Sequence, residues 1–290
     1  MLLHFICIFY FFVLYCLRGV CMDKFTFFID IDGTLANDEK LVPEENIKAI
    51  KEARDKGHMV FINTGRSVSR LPDHLSFDIG VDGVITSLGA TIFHGRDVIF
   101  ENYTSVSETV EIYEICKKCG WHFYFDTEFQ KYELNVPENN THVPISEQNT
   151  QKDRLLAFSD KDFIITNEAY IREKNIRLSK MIAFPEGDDM TEFMCLSKYF
   201  TIHKTLGYFD LSLKSNGKDR AIDWVCKHFN LPLSKTVAMG DSENDNPMLN
   251  FAAFSAVPKN ATEGAKRNAK YISPLTNNEG FVAEVIRKFI

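Results

Sequence analysis

The chain is poor in the patterns that mark thiolate-metal, nucleic-acid-binding and repeat proteins. Its seven cysteines (Cys7, Cys16, Cys21, Cys116, Cys119, Cys195 and Cys226) are odd in number and irregularly spaced. That excludes a regular disulfide framework and suits reduced thiols. Cys116 and Cys119 form a lone CxxC, with no second pair and no clustered histidines to complete a zinc site. Inside the helix expected over 108–119 they read as two small apolar side chains. The histidines at 58, 74, 94, 122, 142, 203 and 228 are isolated, and none falls in a metal-ligand pattern. Basic residues are not in excess: the net charge of -7 argues against a nucleic-acid partner while leaving room for a small anionic ligand. There is no internal repeat, no low-complexity tract and no nucleotide P-loop of the Gly-x-x-x-x-Gly-Lys-Ser/Thr type.

What is present is an ordinary globular balance, 45% hydrophobic and 25% charged over 290 residues, enough for one large or two modest domains. Residues 1–17 are almost wholly apolar, interrupted only by His4. The run is short for a membrane span, and no Lys or Arg precedes it as in a signal peptide. Met22 follows closely and leads into the first strand. Residues 1–21 therefore read as an extension ahead of a start at Met22, with a cytoplasmic location. A genuine export signal or membrane anchor, making the protein secreted or membrane-anchored, is the alternative. Asn102, Asn139 and Asn260 open Asn-x-Thr triplets, a motif short enough to arise by chance.

The apolar run 25–29 predicts a buried strand ending in Asp30-Ile31-Asp32-Gly33-Thr34. Period-two alternation would point Asp30 and Asp32 to one side, and Gly33 lets the chain turn. With no cation close in sequence, two such acids invite a hard oxygen-loving ion such as Mg²⁺. A helix follows from Pro43 to Gly57 with Ile47, Ile50 and Ala53 as its apolar stripe. The next strand, 58–62, ends in Asn63-Thr64-Gly65-Arg66, where the Thr64 hydroxyl and the amides of Gly65 and Arg66 can donate to phosphoryl oxygens. Short strands are expected at 84–86 and 91–93. Strand–helix–strand alternation with polar strand ends implies a parallel sheet wrapped by helices, binding ligands beyond the strands' carboxyl ends.

The middle behaves differently, with a helix over 108–119, a strand over 121–125, a polar loop over 135–151 and a short strand at 163–165. A helix over 190–199 and strands over 200–206 and 209–213 complete what reads as an α+β insert. The opening pattern then resumes. A helix over 219–229 starts beside Lys218, and the strand 236–239 ends in Gly240-Asp241-Ser242-Glu243-Asn244-Asp245, with Pro247 opening another helix. The final expected elements are strands at 254–257 and 271–273 and a helix over 281–289. Asp30, Asp32, Asp241 and Asp245 are thus four carboxylates the fold could bring together, costly unless a metal and cationic partners offset them.

Taken in order, these four segments resemble the motifs of the haloacid dehalogenase (HAD) superfamily. The long insert resembles the C2-type cap of its Cof-like (type IIB) phosphatases. The resemblance implies an α/β fold: a doubly wound, Rossmann-like parallel-sheet core over 22–103 and 206–290, with a C2-type cap over 104–205. It implies a Mg²⁺-dependent phosphatase acting on a small phosphorylated metabolite, with sugar phosphates as the class, through an aspartyl-phosphate. Asp30 would be the nucleophile and Asp32 the general acid and base. The metal would be held by the Asp30 side chain, the Asp32 backbone carbonyl and Asp241. Thr64, Gly65, Lys218 and Asn244 would bind the substrate phosphate, and Asp245 would orient Lys218 or a metal-bound water. Asp32 fits a phosphatase or a sugar phosphomutase, since both need a proton shuttle; a non-catalytic phosphometabolite-binding protein is the remaining alternative. Leu88-Gly89-Ala90 departs from the Asn-Gly-Ala frequent in Cof-like relatives.

Overall fold

A computed structural model describes residues 24–127, 130–134, 163–165, 167–187, 189–204 and 207–290. In chain order its first elements are β1 (Thr26–Ile29), α1 (Glu44–Asp55), β2 (Met59–Asn63), β3 (Gly83–Thr86), β4 (Thr91–His94) and β5 (Asp97–Glu101). Next come α2 (Val106–Cys119), β6 (His122–Asp126), β7 (Lys131–Leu134), β8 (Phe163–Ile165), α3 (Glu168–Glu173), β9 (Lys180–Phe184), α4 (Thr191–Met194), β10 (Phe200–Lys204) and β11 (Phe209–Leu213). The last are α5 (Lys218–His228), β12 (Thr236–Met239), α6 (Asn246–Phe251), β13 (Phe254–Val257), α7 (Glu263–Asn268), β14 (Tyr271–Ile272) and α8 (Phe281–Arg287). The described residues form two compact units: those within 24–63, 73–84 and 222–290, and those within 64–72 and 85–221.

The first unit is an α/β sheet in the strand order β14-β13-β12-β1-β2-β3. Its pairs β13·β14, β12·β13, β1·β12 and β1·β2 are all parallel. Every residue of β1 and of β12 is buried, as parallel strands covered on both faces require. The chain steps outward one way from β1 to β2 and the other way from β12 through β13 to β14. The order therefore reverses between β1 and β12, and such reversals open a crevice beyond the strands' carboxyl ends. Helix α1 departs from the expected stripe. Ile47 is 37% exposed, and Asn46 is buried instead. Asn46 is worth burying because its amide donates to Leu35 O and its carbonyl accepts from Ala283 N at the start of α8.

The second unit holds the β4–β5 antiparallel hairpin and a separate six-stranded sheet, β10-β11-β9-β6-β7-β8. That sheet is antiparallel except for the β7·β8 pair. Alternation gives it two unlike faces. Phe123, Phe125, Tyr132, Met181 and Leu211 pack into an apolar core with Ile112 and Cys116 of α2, Ile171 of α3 and Phe193 of α4. A capping box at Ser105 starts α2, and Gly120 at φ 72° ends it. The expectations missed β5, β7, β9, α3 and α7, and the helix expected over 190–199 is one α turn followed by a 3-10 turn. The expected boundary at 205/206 separates β10 from β11, which pair along their full length. Among the described residues no helix is long and apolar enough to cross a membrane. Residues 1–21, Asn139 and the expected loop 135–151 lie outside the described residues.

Candidate active site

β1 ends at Ile29, opposite Met239 of β12 and Ile62 of β2, so Asp30 stands at the carboxyl end of the central strand. The Asp30 amide donates to Met239 O at 2.9 Å, and the chain then curls back as Ala36 N donates to Ile31 O at 2.9 Å. Gly33 makes this curl possible twice over. Its φ of 74° favours glycine, and a Cβ there would lie 2.7 Å from Asp241 Cγ. The Thr34 hydroxyl donates to Asp241 Oδ1 at 3.2 Å. Asp245 Oδ2 accepts from the amides of Asp241 (2.9 Å) and Ser242 (3.2 Å), which holds the loop after β12 in shape.

The outcome is a group of three carboxylates, Asp30, Asp241 and Asp245, each offering one oxygen within 4.8 Å of the others. Asp30 and Asp245 are buried and Asp241 is half-buried. Three like charges so close in a partly desolvated place repel strongly, and an all-oxygen donor set of this kind fits a small hard divalent cation. Of the four acids expected to converge, Asp32 is not in this group. The strand stops at Ile29, so alternation does not carry through to residue 32. The Asp32 side chain is 41% exposed and meets Lys40 at 2.8 Å, a cation close in sequence after all. Asn244 is exposed and accepts from the Ser242 hydroxyl at 2.8 Å.

Thr64 and Lys218 belong to the second unit, where both are buried. The Thr64 amide donates to Ile85 O at 2.9 Å, its hydroxyl accepts from Arg66 N at 3.2 Å, and Gly65 between them is half-buried. Lys218 is the first residue of α5, whose first turn is closed by Ala221 N donating to Gly217 O at 3.0 Å.

Sequence reasoning missed a second charged constellation. On the face of the six-stranded sheet opposite its apolar core, strand alternation places His122, Tyr124 and Asp126 of β6, Lys131 and Glu133 of β7, Lys180 of β9 and Asp210 of β11. Asp126 is fully buried and accepts from Arg70 at 2.8 Å. Burial pushes its carboxyl pKa up, while Arg70, Lys180 and Lys131 pull it back down. Lys180 pairs with Asp210 at 3.0 Å, and the Lys131 ammonium lies 3.3 Å from the centre of the Tyr124 ring. The signal was the alternation in Lys131-Tyr132-Glu133-Leu134, polar out and apolar in.

Cys116 is buried on α2 and Cys119 is half-buried at its end. Burial pushes the Cys116 thiol well up and the Cys119 thiol to about 11, so both stay protonated at neutral pH. His58 has its pKa lowered by burial and by Lys24 and Lys56, and its Nδ1 accepts from Phe25 N at 2.9 Å.

Residues 27–286 match the family described as haloacid dehalogenase-like hydrolase. A 5-amino-6-(5-phospho-D-ribitylamino)uracil phosphatase of Bacillus subtilis is 27% identical over 264 residues, covering 90% of this chain and 94% of its own. Among solved structures, a HAD subclass IIB sugar phosphatase superposes with a TM-score of 0.71 at 24% identity, over 92% of this chain and 99% of its own. A HAD phosphatase from Bacteroides thetaiotaomicron does so with a TM-score of 0.76 at 20% identity, over 94% of this chain and 97% of its own. With its carboxylates gathered where the strand order of a parallel sheet reverses, the chain belongs to the haloacid dehalogenase-like hydrolases, as a phosphatase of the Cof-like branch.

Proposed function

We propose that the protein is a Mg²⁺-dependent phosphatase of small phosphorylated metabolites, with sugar and polyol phosphates as the substrate class. The observation that carries this reading is the group of Asp30, Asp241 and Asp245 at the ends of β1 and β12. Hard carboxylate oxygens suit Mg²⁺, which Asp30 and Asp241 would hold together with the Asp32 backbone carbonyl. When bound, the ion screens the negative charge that nucleophile and phosphate share. Asp30 attacks phosphorus and takes the phosphoryl group as an aspartyl-phosphate while the bond to the leaving oxygen breaks. Asp32 gives that oxygen its proton, then takes one from the water that hydrolyses the acyl phosphate. Thr64, Gly65, Lys218 and Asn244 donate to the transferring oxygens, where charge must be stabilised in the transition state. Asp245, bonded to the amides of Asp241 and Ser242, keeps the Asp241 carboxylate in place. The substrate class is supported by the Bacillus subtilis relative, named for a phosphoribityl compound, and by the structural neighbour named a sugar phosphatase. The test is phosphate release from a panel of phosphometabolites with Mg²⁺ and with EDTA. Release confined to the Mg²⁺ arm and strongest on sugar or polyol phosphates supports the reading. Isomerised sugar phosphate in place of free phosphate, or no turnover, contradicts it.

A further inference from the structure

Thr64 and Lys218 lie far apart in sequence, yet one short turn of the second unit touches the backbone beside both. Ser87, Leu88 and Gly89 take consecutive φ values of 48°, 57° and 91°. The first two are not glycine, and such residues stay in the left-handed region only where their surroundings hold them. On one side Ser87 N donates to Arg66 O at 2.8 Å and Leu88 N to Thr64 O at 3.1 Å. On the other side Gly89 lies against the start of α5. A Cβ on Gly89 would meet Gly217 O at 2.8 Å and Ala221 Cβ at 3.1 Å. Gly217 directly precedes Lys218, and its carbonyl accepts the first hydrogen bond of that helix.

Asn102 ties the same two pieces together. Its amide donates to Ala90 O at 2.8 Å, next to the turn. Its side chain donates to Ser215 Oγ at 2.9 Å and to Asn216 Oδ1 at 2.6 Å, and Asn216 returns a bond to Asn102 O at 3.3 Å. The loop leading into Lys218 is thus stitched through Asn102 to Ala90, the residue directly after the turn.

We infer that the left-handed turn at residues 87–89, together with Asn102, is the positioning element that fixes Lys218 relative to Thr64 so that both serve one phosphoryl group. The inference rests on the phosphatase reading above. A methyl group at residue 89 must displace the Gly217 carbonyl, and with it the base of Lys218, whereas the carboxylates of Asp30, Asp241 and Asp245 belong to the other unit. Displacements of about 1 Å in a positioning group are enough to cost up to ~10²-fold in rate.

The experiment compares wild type, Gly89→Ala and Asn102→Ala for kcat and KM on p-nitrophenyl phosphate, inhibition by inorganic phosphate, and Mg²⁺ affinity without substrate. Gly89→Ala is expected to lower kcat by at least ~10-fold and to weaken phosphate inhibition comparably. Asn102→Ala, which leaves the backbone free to keep its conformation, moves both in the same direction by about 3- to 10-fold. Mg²⁺ affinity changes by less than about two-fold in both. Wild-type phosphate inhibition in folded Asn102→Ala overturns the inference even if Gly89→Ala does not fold. So does a parallel loss of Mg²⁺ affinity, which would mark general damage. A wild-type protein that hydrolyses no phosphomonoester removes the phosphatase reading itself and this inference with it, whereas an active wild type with indifferent variants removes only the inference.

Discussion

In the first unit three carboxylates crowd within 4.8 Å at the carboxyl ends of β1 and β12, whereas in the second the carboxylates of Asp126 and Asp210 are interleaved with Arg70, Lys131 and Lys180. The first arrangement concentrates one sign of charge where solvent is partly excluded. It is tolerable in a folded protein when a cation joins it, which is why such a group points to chemistry. The second balances itself. There a guanidinium and two ammonium groups face the buried Asp126 carboxylate, and breaking one of them exposes desolvation that the group had offset. Substitutions in the first unit should therefore remove function and spare the fold, and substitutions on the charged sheet face should do the reverse.

The largest expected effect is functional. Asp30→Asn removes the proposed nucleophile and is expected to lower kcat by at least ~10³-fold, read as phosphate release under saturating substrate, with a thermal midpoint near wild type. Near-normal turnover in this variant would erase the distinction between the units. On the other side, Arg70→Met leaves Asp126 buried without its guanidinium and costs about 3–5 kcal/mol in urea unfolding, toward the lower end because Lys131 and Lys180 still face the carboxylate. Adding Asp126→Leu should recover most of that loss; if it does not, the sheet face is not self-compensating. A subtler probe is Gly33→Ala, whose methyl group crowds Asp241 at a left-handed position. Mg²⁺ affinity is expected to fall about 10- to 100-fold, as for other groups that support a metal ligand.

The smallest effect sharpens the comparison through pH. His58 has its pKa lowered in the folded state, so the native protein binds fewer protons there than the unfolded chain. Its contribution is complete above the unfolded value of about 6.5 and is lost as pH falls through it. Between about pH 7.5 and about pH 5, wild type should lose more stability than His58→Gln, measured as the shift in urea midpoint. Equal losses would show that this imidazole is not linked to folding.

The two acidic segments were legible because each is contiguous: Asp30 to Thr34 and Gly240 to Asp245 each place their residues within one turn. The parallel sheet followed from strand–helix alternation for the same local reason. Three things were not legible. The separation of Asp32 from the other acids depends on β1 stopping at Ile29 and on Lys40 returning eight residues later, neither of which alternation predicts. The charged sheet face is assembled from β6, β7, β9 and β11, and two of those strands are short segments with charged residues in them, easily read as loop. The burial of Asn46 in place of Ile47 reverses what hydrophobicity alone would choose, since it depends on two backbone partners distant in sequence.

The most direct test of the account is a calorimetric titration of Mg²⁺ into the substrate-free protein and into Asp241→Asn. Wild type should bind one ion per chain and gain thermal stability from it, while Asp241→Asn should bind none and melt higher than metal-free wild type, having lost one of three mutually repelling charges. Equal Mg²⁺ binding by the two proteins would contradict the assignment of these carboxylates as the metal centre.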